Sequence, residues 1–135
     1  MLSAEHNLSV GFAYDRKEAK DHGEGGVLVG APVKGKRVLL LDDVMTAGTA
    51  VRGAIKTVEA EGGNVVGVVQ CLDREEVGQD GKSSTAAELA KVFGGAGRVA
   101  AILKMRDLMA WLEAKGLQSE LGQMQGYWEQ YGYKG

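Results

Sequence analysis

Two adjacent carboxylates, Asp42 and Asp43, follow the apolar run Arg37-Val38-Leu39-Leu40-Leu41 and lead directly into Val44-Met45-Thr46-Ala47-Gly48-Thr49-Ala50. Carboxylates accept hydrogen bonds from hydroxyls or help hold a hydrated divalent cation, while threonine hydroxyls and the open backbone around a glycine suit an anion. Such chemistry needs a strand to deliver it and a helix to receive it. The apolar run is short, branched and unbroken, as expected over 37–41 for a strand buried on both faces of a parallel sheet and ending on the acidic pair. Beyond Thr49, the residues Val51, Ala54, Ile55 and Val58 recur at helical spacing, and Gly62 and Gly63 end the period. The segment therefore joins the carboxyl end of a strand to the amino end of a helix, where open α/β sheets bind ligands and unpaired N–H groups attract an anion. Asp42 and Asp43 face opposite sides of the strand and can serve ribose hydroxyls or a hydrated Mg²⁺ without competing for one spot, leaving a phosphate to the turn. A Walker A loop is excluded here, because its lysine is missing. An acidic turn with a helix cap is the plain alternative.

Two further segments carry charge suited to the same kind of ligand. The residues 10–14 read as a strand, and the stretch after them is charged, glycine-rich and without apolar period, which describes a mobile loop. Arg16, Lys17, Lys20 and His22 gather three fixed cations and one titratable group there, suited to neutralising a departing polyanion and to giving it a proton. A solvated loop of mixed charge is the alternative. Farther on, the apolar run 65–72 ends on Asp73-Arg74-Glu75-Glu76. An arginine at a strand end can grip a carboxylate in a bidentate pair, or it can simply pair with Glu75 or Asp73.

The stretch from Val38 to Ala50 resembles the phosphoribosyl-pyrophosphate (PRPP) motif of the type I phosphoribosyltransferases. The stretch from Arg16 to Gly26, and Leu72-Asp73-Arg74, are similar to the catalytic loop and the substrate arginine of the orotate members of that family. The resemblance implies an α/β fold with a mostly parallel sheet flanked by helices, in one partial domain over 1–135. It implies transfer of the phosphoribosyl group of PRPP to orotate, giving orotidine 5′-phosphate and diphosphate in pyrimidine (UMP) synthesis, with Mg²⁺ as cofactor and no residue assigned directly to the metal. It places Asp42 and Asp43 on the ribose, and Val44, Met45, Thr46, Ala47, Gly48, Thr49 and Ala50 around the 5′-phosphate. Arg16, Lys17, Lys20 and His22 fall on the diphosphate as the catalytic group, and Arg74 with Thr46 on orotate. It also implies a homodimer whose loop closes partly over the neighbouring site. The stretch from Glu5 to Tyr14 is similar to the middle of the family's core, so the chain corresponds to the later part of a typical member, and an apolar face or unpaired strand edge is expected to be left open. Little turnover is expected from this polypeptide alone.

Two other classes fit part of the pattern: a non-catalytic homologue that binds PRPP or a partner subunit without turnover, and a receiver-like domain with Asp73 as phosphoacceptor. The Thr46-Ala47-Gly48-Thr49 turn and the basic loop have no task in the second. With 135 residues, 44% hydrophobic content and a formal net charge of −2, the chain reads as one soluble cytoplasmic domain, with no composition suited to nucleic acid and no span or leader suited to a membrane. The lone Cys71 is expected to be a small core residue and His6 a surface one. Helices are expected over 83–93 and 107–115 and a strand over 98–103. Leu117, Leu121, Met124, Trp128 and Tyr131 mark an amphipathic carboxyl-terminal helix. The residues 78–82 read as a polar surface loop.

The loop reading has a kinetic consequence. In a chain extended to the length of a typical member, Lys20→Ala or His22→Ala is expected to lower turnover by roughly 10²- to 10³-fold while orotate affinity changes little. A rise confined to the Michaelis constant for orotate would contradict it.

Overall fold

The computed structural model describes residues 5–16 and 28–135. A short pair comes first: β1 (Ala13–Asp15) runs antiparallel to β2 (Leu28–Gly30), with Asp15 opposite Leu28. The two ends of the charged segment are thereby held side by side. The strand expected over 10–14 is shorter and lies nearer that segment, because β2 offers only three partners.

The body of the protein is a parallel sheet in the order β3 (Arg37–Met45), β4 (Asn64–Asp73), β5 (Val99–Lys104). β3 does not stop at the acidic pair. Asp42 pairs with Gln70, Val44 with Leu72 and Met45 with Asp73, so β4 carries the ladder four residues past Leu41 and both carboxylates stand within the strand. The turn that follows is correspondingly short. α1 (Thr49–Ala60) leaves it and lays Val51, Ile55 and Val58 on the sheet, where they meet Met45, Val65, Val68 and Leu89 in one buried cluster. The helix ends as expected at Gly62, whose φ of 77° lets its N–H return to the Glu59 carbonyl at 2.9 Å.

α2 (Thr85–Val92) is capped by Ser84, whose hydroxyl accepts from the Ala87 N–H at 3.2 Å, and it buries Leu89 completely. α3 (Met105–Ala114) and α4 (Gln118–Tyr131) pack on each other, and Met105, Leu112 and Leu121 are their buried apolar residues. Of the expected carboxyl-terminal stripe only Leu121 is buried, and Tyr131 is half exposed. The residues after α4 run back along the segment that follows β4: the Tyr133 N–H donates to the Glu75 carbonyl at 2.7 Å and Gly132 bridges to Glu76.

The sheet is covered unequally, and this corrects the expectation of a strand buried on both faces. Pairing puts Leu40, Val68 and Val99 on the face that joins the core under α1 and α2. Strand alternation puts Leu39, Leu41, Cys71 and Ile102 on the other face, where Leu41 is 70% and Ile102 76% exposed. Cys71 is exposed for the same reason and is not a core residue. Among the described residues β3 is also an edge of its sheet. Covering a leucine or isoleucine fully is worth about 1.5–3 kcal/mol, so this face favours association. The purified chain is expected to elute from a sizing column ahead of its monomer position, and Leu41→Lys with Ile102→Lys to shift it back. Monomeric elution of the unsubstituted chain would contradict this reading.

Candidate functional site

β3 and α1 meet at the turn 46–48. Gly48 is buried with φ of 71°, and a side chain there would bring its Cβ to 3.3 Å from Thr85 Cγ2 and 3.4 Å from Leu89 Cδ1. Glycine therefore lets the turn lie flat on α2. The same residue holds the cap position of α1 with no side-chain cap bond, and the first turn of this 12-residue helix carries no acid. Its leading N–H groups and the positive end of its dipole are thus presented without an internal counter-charge.

The two carboxylates stand just before this anion-attracting end. The Asp43 N–H donates to Asp42 Oδ1 at 3.1 Å and the Val44 N–H to Asp43 Oδ1 at 2.7 Å. Each side chain uses one oxygen on nearby backbone and has its second for a hydroxyl outside. Asp42 is half-buried on the core face beside Gln70, while Asp43 is exposed on the opposite face.

Arg74 reaches the same end of the sheet. Met45 pairs with Asp73, so Thr46 and Arg74, the residues that follow them, leave neighbouring strands at one level. The guanidinium neither stands free nor pairs with Glu75 or Asp73. Its Nε lies 3.0 Å from Glu76 Oε1, and its centre is 5.7 Å from the middle of the Tyr127 ring. Glu75 is drawn elsewhere: with φ of 53° its side chain turns inward to an ion pair with Arg106, and its N–H donates to Asp73 Oδ1 at 2.8 Å. The Tyr127 hydroxyl donates to the Glu76 carboxylate, which pushes the phenol's pKa up. Arg74 is therefore pre-aligned by an acid and an aromatic face, with about a quarter of its side chain exposed.

Arg16 directly follows β1, whereas Lys17, Lys20 and His22 lie outside the described residues. Among the described residues, no three His, Cys, Asp or Glu side chains converge as a metal cage and no helix is long and apolar enough to cross a membrane. A cleft of about 450 Å³, lined by Gln70, Asp73, Lys104 and Tyr133 among others, takes no lining from residues 46–48, and burial raises the Asp73 carboxyl there.

The contacts that steady the turn escape sequence reasoning. Within the expected surface loop 78–82, Gly78 is half-buried and 79–82 are exposed, yet the loop does more than face water. The Gln79 amide donates to the Ala47 carbonyl at 3.2 Å, and the buried Thr85 hydroxyl donates to the Thr46 carbonyl at 2.7 Å. Asp80 ties the loop: the Ser83 hydroxyl, followed by the N–H groups of Ser83 and Lys82, holds its carboxyl far below the ordinary range. Glu88 then joins the Asp80 N–H at 2.5 Å to Arg52 of α1 at 2.6 Å. Gln79 with Ala47, Thr85 with Thr46 and Arg52 with Glu88 lie more than thirty residues apart, so neither periodicity nor a local motif signals those three contacts.

A profile of the phosphoribosyl transferase domain matches residues 4–92. An orotate phosphoribosyltransferase of Acinetobacter baumannii is 50% identical over 131 residues, covering 97% of this chain and 59% of that protein. The crystal structure of orotate phosphoribosyltransferase from Francisella tularensis superposes with a TM-score of 0.74 at 30% identity, covering 98% of this chain and 61% of that one. The enzyme from Mycobacterium tuberculosis, solved in complex with PRPP, aligns with a TM-score of 0.56 at 30% identity over 75% of this chain and 51% of its own. This chain thus spans about three-fifths of the length of the first two.

The turn's geometry sets a test of its own. Gly48→Ala forces a side chain into left-handed backbone, at about 1–2 kcal/mol, and presses it on Thr85 and Leu89. Denaturant unfolding is expected to show a loss of at least that size, and an unchanged midpoint would mean that the turn is not held as described.

Proposed function

The chain belongs to the phosphoribosyl transferase domain family, and from that premise we propose that its 42–50 segment is a PRPP site serving transfer of the phosphoribosyl group to orotate. One observation carries the reading: the uncapped amino end of α1 directly follows a strand whose last residues include carboxylates on both faces. In this arrangement the 5′-phosphate takes the N–H groups and hydroxyls of the turn, while Asp42 and Asp43 accept from the ribose hydroxyls. Arg74 and Thr46, side by side at the ends of neighbouring strands, take orotate. Arg74 then exchanges Glu76 for the carboxylate of the substrate, a bidentate partner of the same charge.

The reaction is a displacement at the anomeric carbon through a state with oxocarbenium character, so the protein's work is to align two substrates and exclude water. Arg16, Lys17, Lys20 and His22 neutralise the diphosphate as it leaves. Because β1 and β2 hold the two ends of the 16–27 segment together, that charge is delivered as one unit. Mg²⁺ fits as a companion of the substrate: it keeps waters and phosphate oxygens and needs as little as one carboxylate, which the exposed Asp43 could supply in place of a ribose contact. Bound there, it would offset charge on the diphosphate. The reading includes a cytoplasmic homodimer.

A second reading, a homologue that binds PRPP or a partner subunit without turnover, is favoured by the open sheet face. An assay of orotate consumption by the purified chain separates the two. Binding tests what they share. Replacing Asp42 and Asp43 together with Asn is expected to weaken Mg²⁺-PRPP binding by about 1 kcal/mol or more per carboxylate, measured by titration calorimetry. Equal affinity in the double variant would remove the basis of the proposal.

A further inference from the structure

Two carbonyls of the phosphate turn are held from below by side chains outside it. The Thr85 hydroxyl donates to the Thr46 carbonyl at 2.7 Å and the Gln79 amide to the Ala47 carbonyl at 3.2 Å. Thr85 is only 3% exposed, its methyl lies under Gly48, and its own N–H donates to the Glu76 carbonyl at 3.1 Å. It therefore joins three things: the turn, the start of α2, and the residue whose carboxylate holds Arg74.

Peptide geometry turns this into a statement about direction. The peptide bonds here are trans, and in a trans peptide the carbonyl of one residue and the N–H of the next point opposite ways. With the Thr46 carbonyl drawn toward Thr85, the Ala47 N–H is aimed away from α2. With the Ala47 carbonyl drawn toward Gln79, the Gly48 N–H is aimed away from that loop. Among the described residues neither N–H has an acceptor. Both join the free N–H groups at the head of α1.

We propose that Thr85, assisted by Gln79, is a positioning residue that fixes the direction in which the turn presents its amides to the phosphate. The identity of the anion rests on the phosphoribosyl reading, whereas the clamp itself does not. Without the clamp the turn can flip peptides, and an anion must then meet the cost of ordering it.

Thr85→Val keeps the shape and removes the hydroxyl; Thr85→Ser keeps the hydroxyl and removes the methyl. Backbone ¹⁵N relaxation of the unliganded chain is expected to give rigid amides at 47–49, with order parameters near 0.85, falling toward about 0.6 in the Val variant and recovering in the Ser variant. Mg²⁺-PRPP affinity, by calorimetry, is expected to fall about three- to tenfold with Val and to return with Ser. A Val variant that melts cooperatively and keeps both the rigidity and the affinity would overturn the proposal. So would a Ser variant that fails to recover either, because shape and not the hydroxyl would then be what matters. If the unsubstituted chain binds no PRPP, the phosphoribosyl reading fails, and the relaxation comparison still decides the clamp.

Discussion

In a parallel pair of strands, both chains finish at the same edge, and the register decides which residues emerge together. Between β3 and β4 that register sets Met45 beside Asp73. The arrangement of the candidate site depends on this one alignment. It brings Thr46 and Arg74 out side by side from segments far apart in sequence. It keeps Asp42 and Asp43 inside the ladder, where alternation sends them to opposite faces. It also starts α1 after a three-residue turn, with its amino end just beyond the two carboxylates. A slip of one residue would exchange the faces of the two carboxylates and turn Leu40 out of the core.

The register is secured on one face only. Leu40, Val68 and Val99 lie under α1 and α2 with Leu89 at the centre, and that apolar burial is the main source of stability for the sheet. The opposite face carries Leu39, Leu41 and Ile102 in the open. The candidate site is therefore built on a well-packed layer whose reverse side is uncovered. The turn is held from elsewhere, through the hydrogen bonds that Thr85 and Gln79 donate to its carbonyls, which cost little apolar area and fix direction instead of adding bulk.

Much of this was legible in the residues. The helix after Thr49 follows from Val51, Ile55 and Val58, and its end from Gly62, because local periodicity and local backbone freedom set both. The tight turn between β3 and α1 follows from Thr46-Ala47-Gly48-Thr49 between a strand and a helix. The extent of β3 was not legible, since Asp42 to Met45 carry no apolar alternation and only the pairing with β4 holds them in a strand. Nor was the exposure of Cys71: an unbroken apolar run looks the same whether one face or both are covered. The partner of Arg74 depended on the positive φ of Glu75 and on Tyr127, more than fifty residues away, and the tether of 78–82 to the turn depended on long-range contacts that leave no pattern in sequence.

The central claim is that one short segment, the end of β3 and the head of α1, receives the phosphoribosyl group. Titrating Mg²⁺-PRPP into ¹⁵N-labelled chain and following amide resonances tests it at residue level. The largest perturbations are expected at Asp43 and at residues 46–51, with smaller ones around Arg74. Perturbations centred on the cleft of Gln70, Lys104 and Tyr133, with the turn silent, would contradict it.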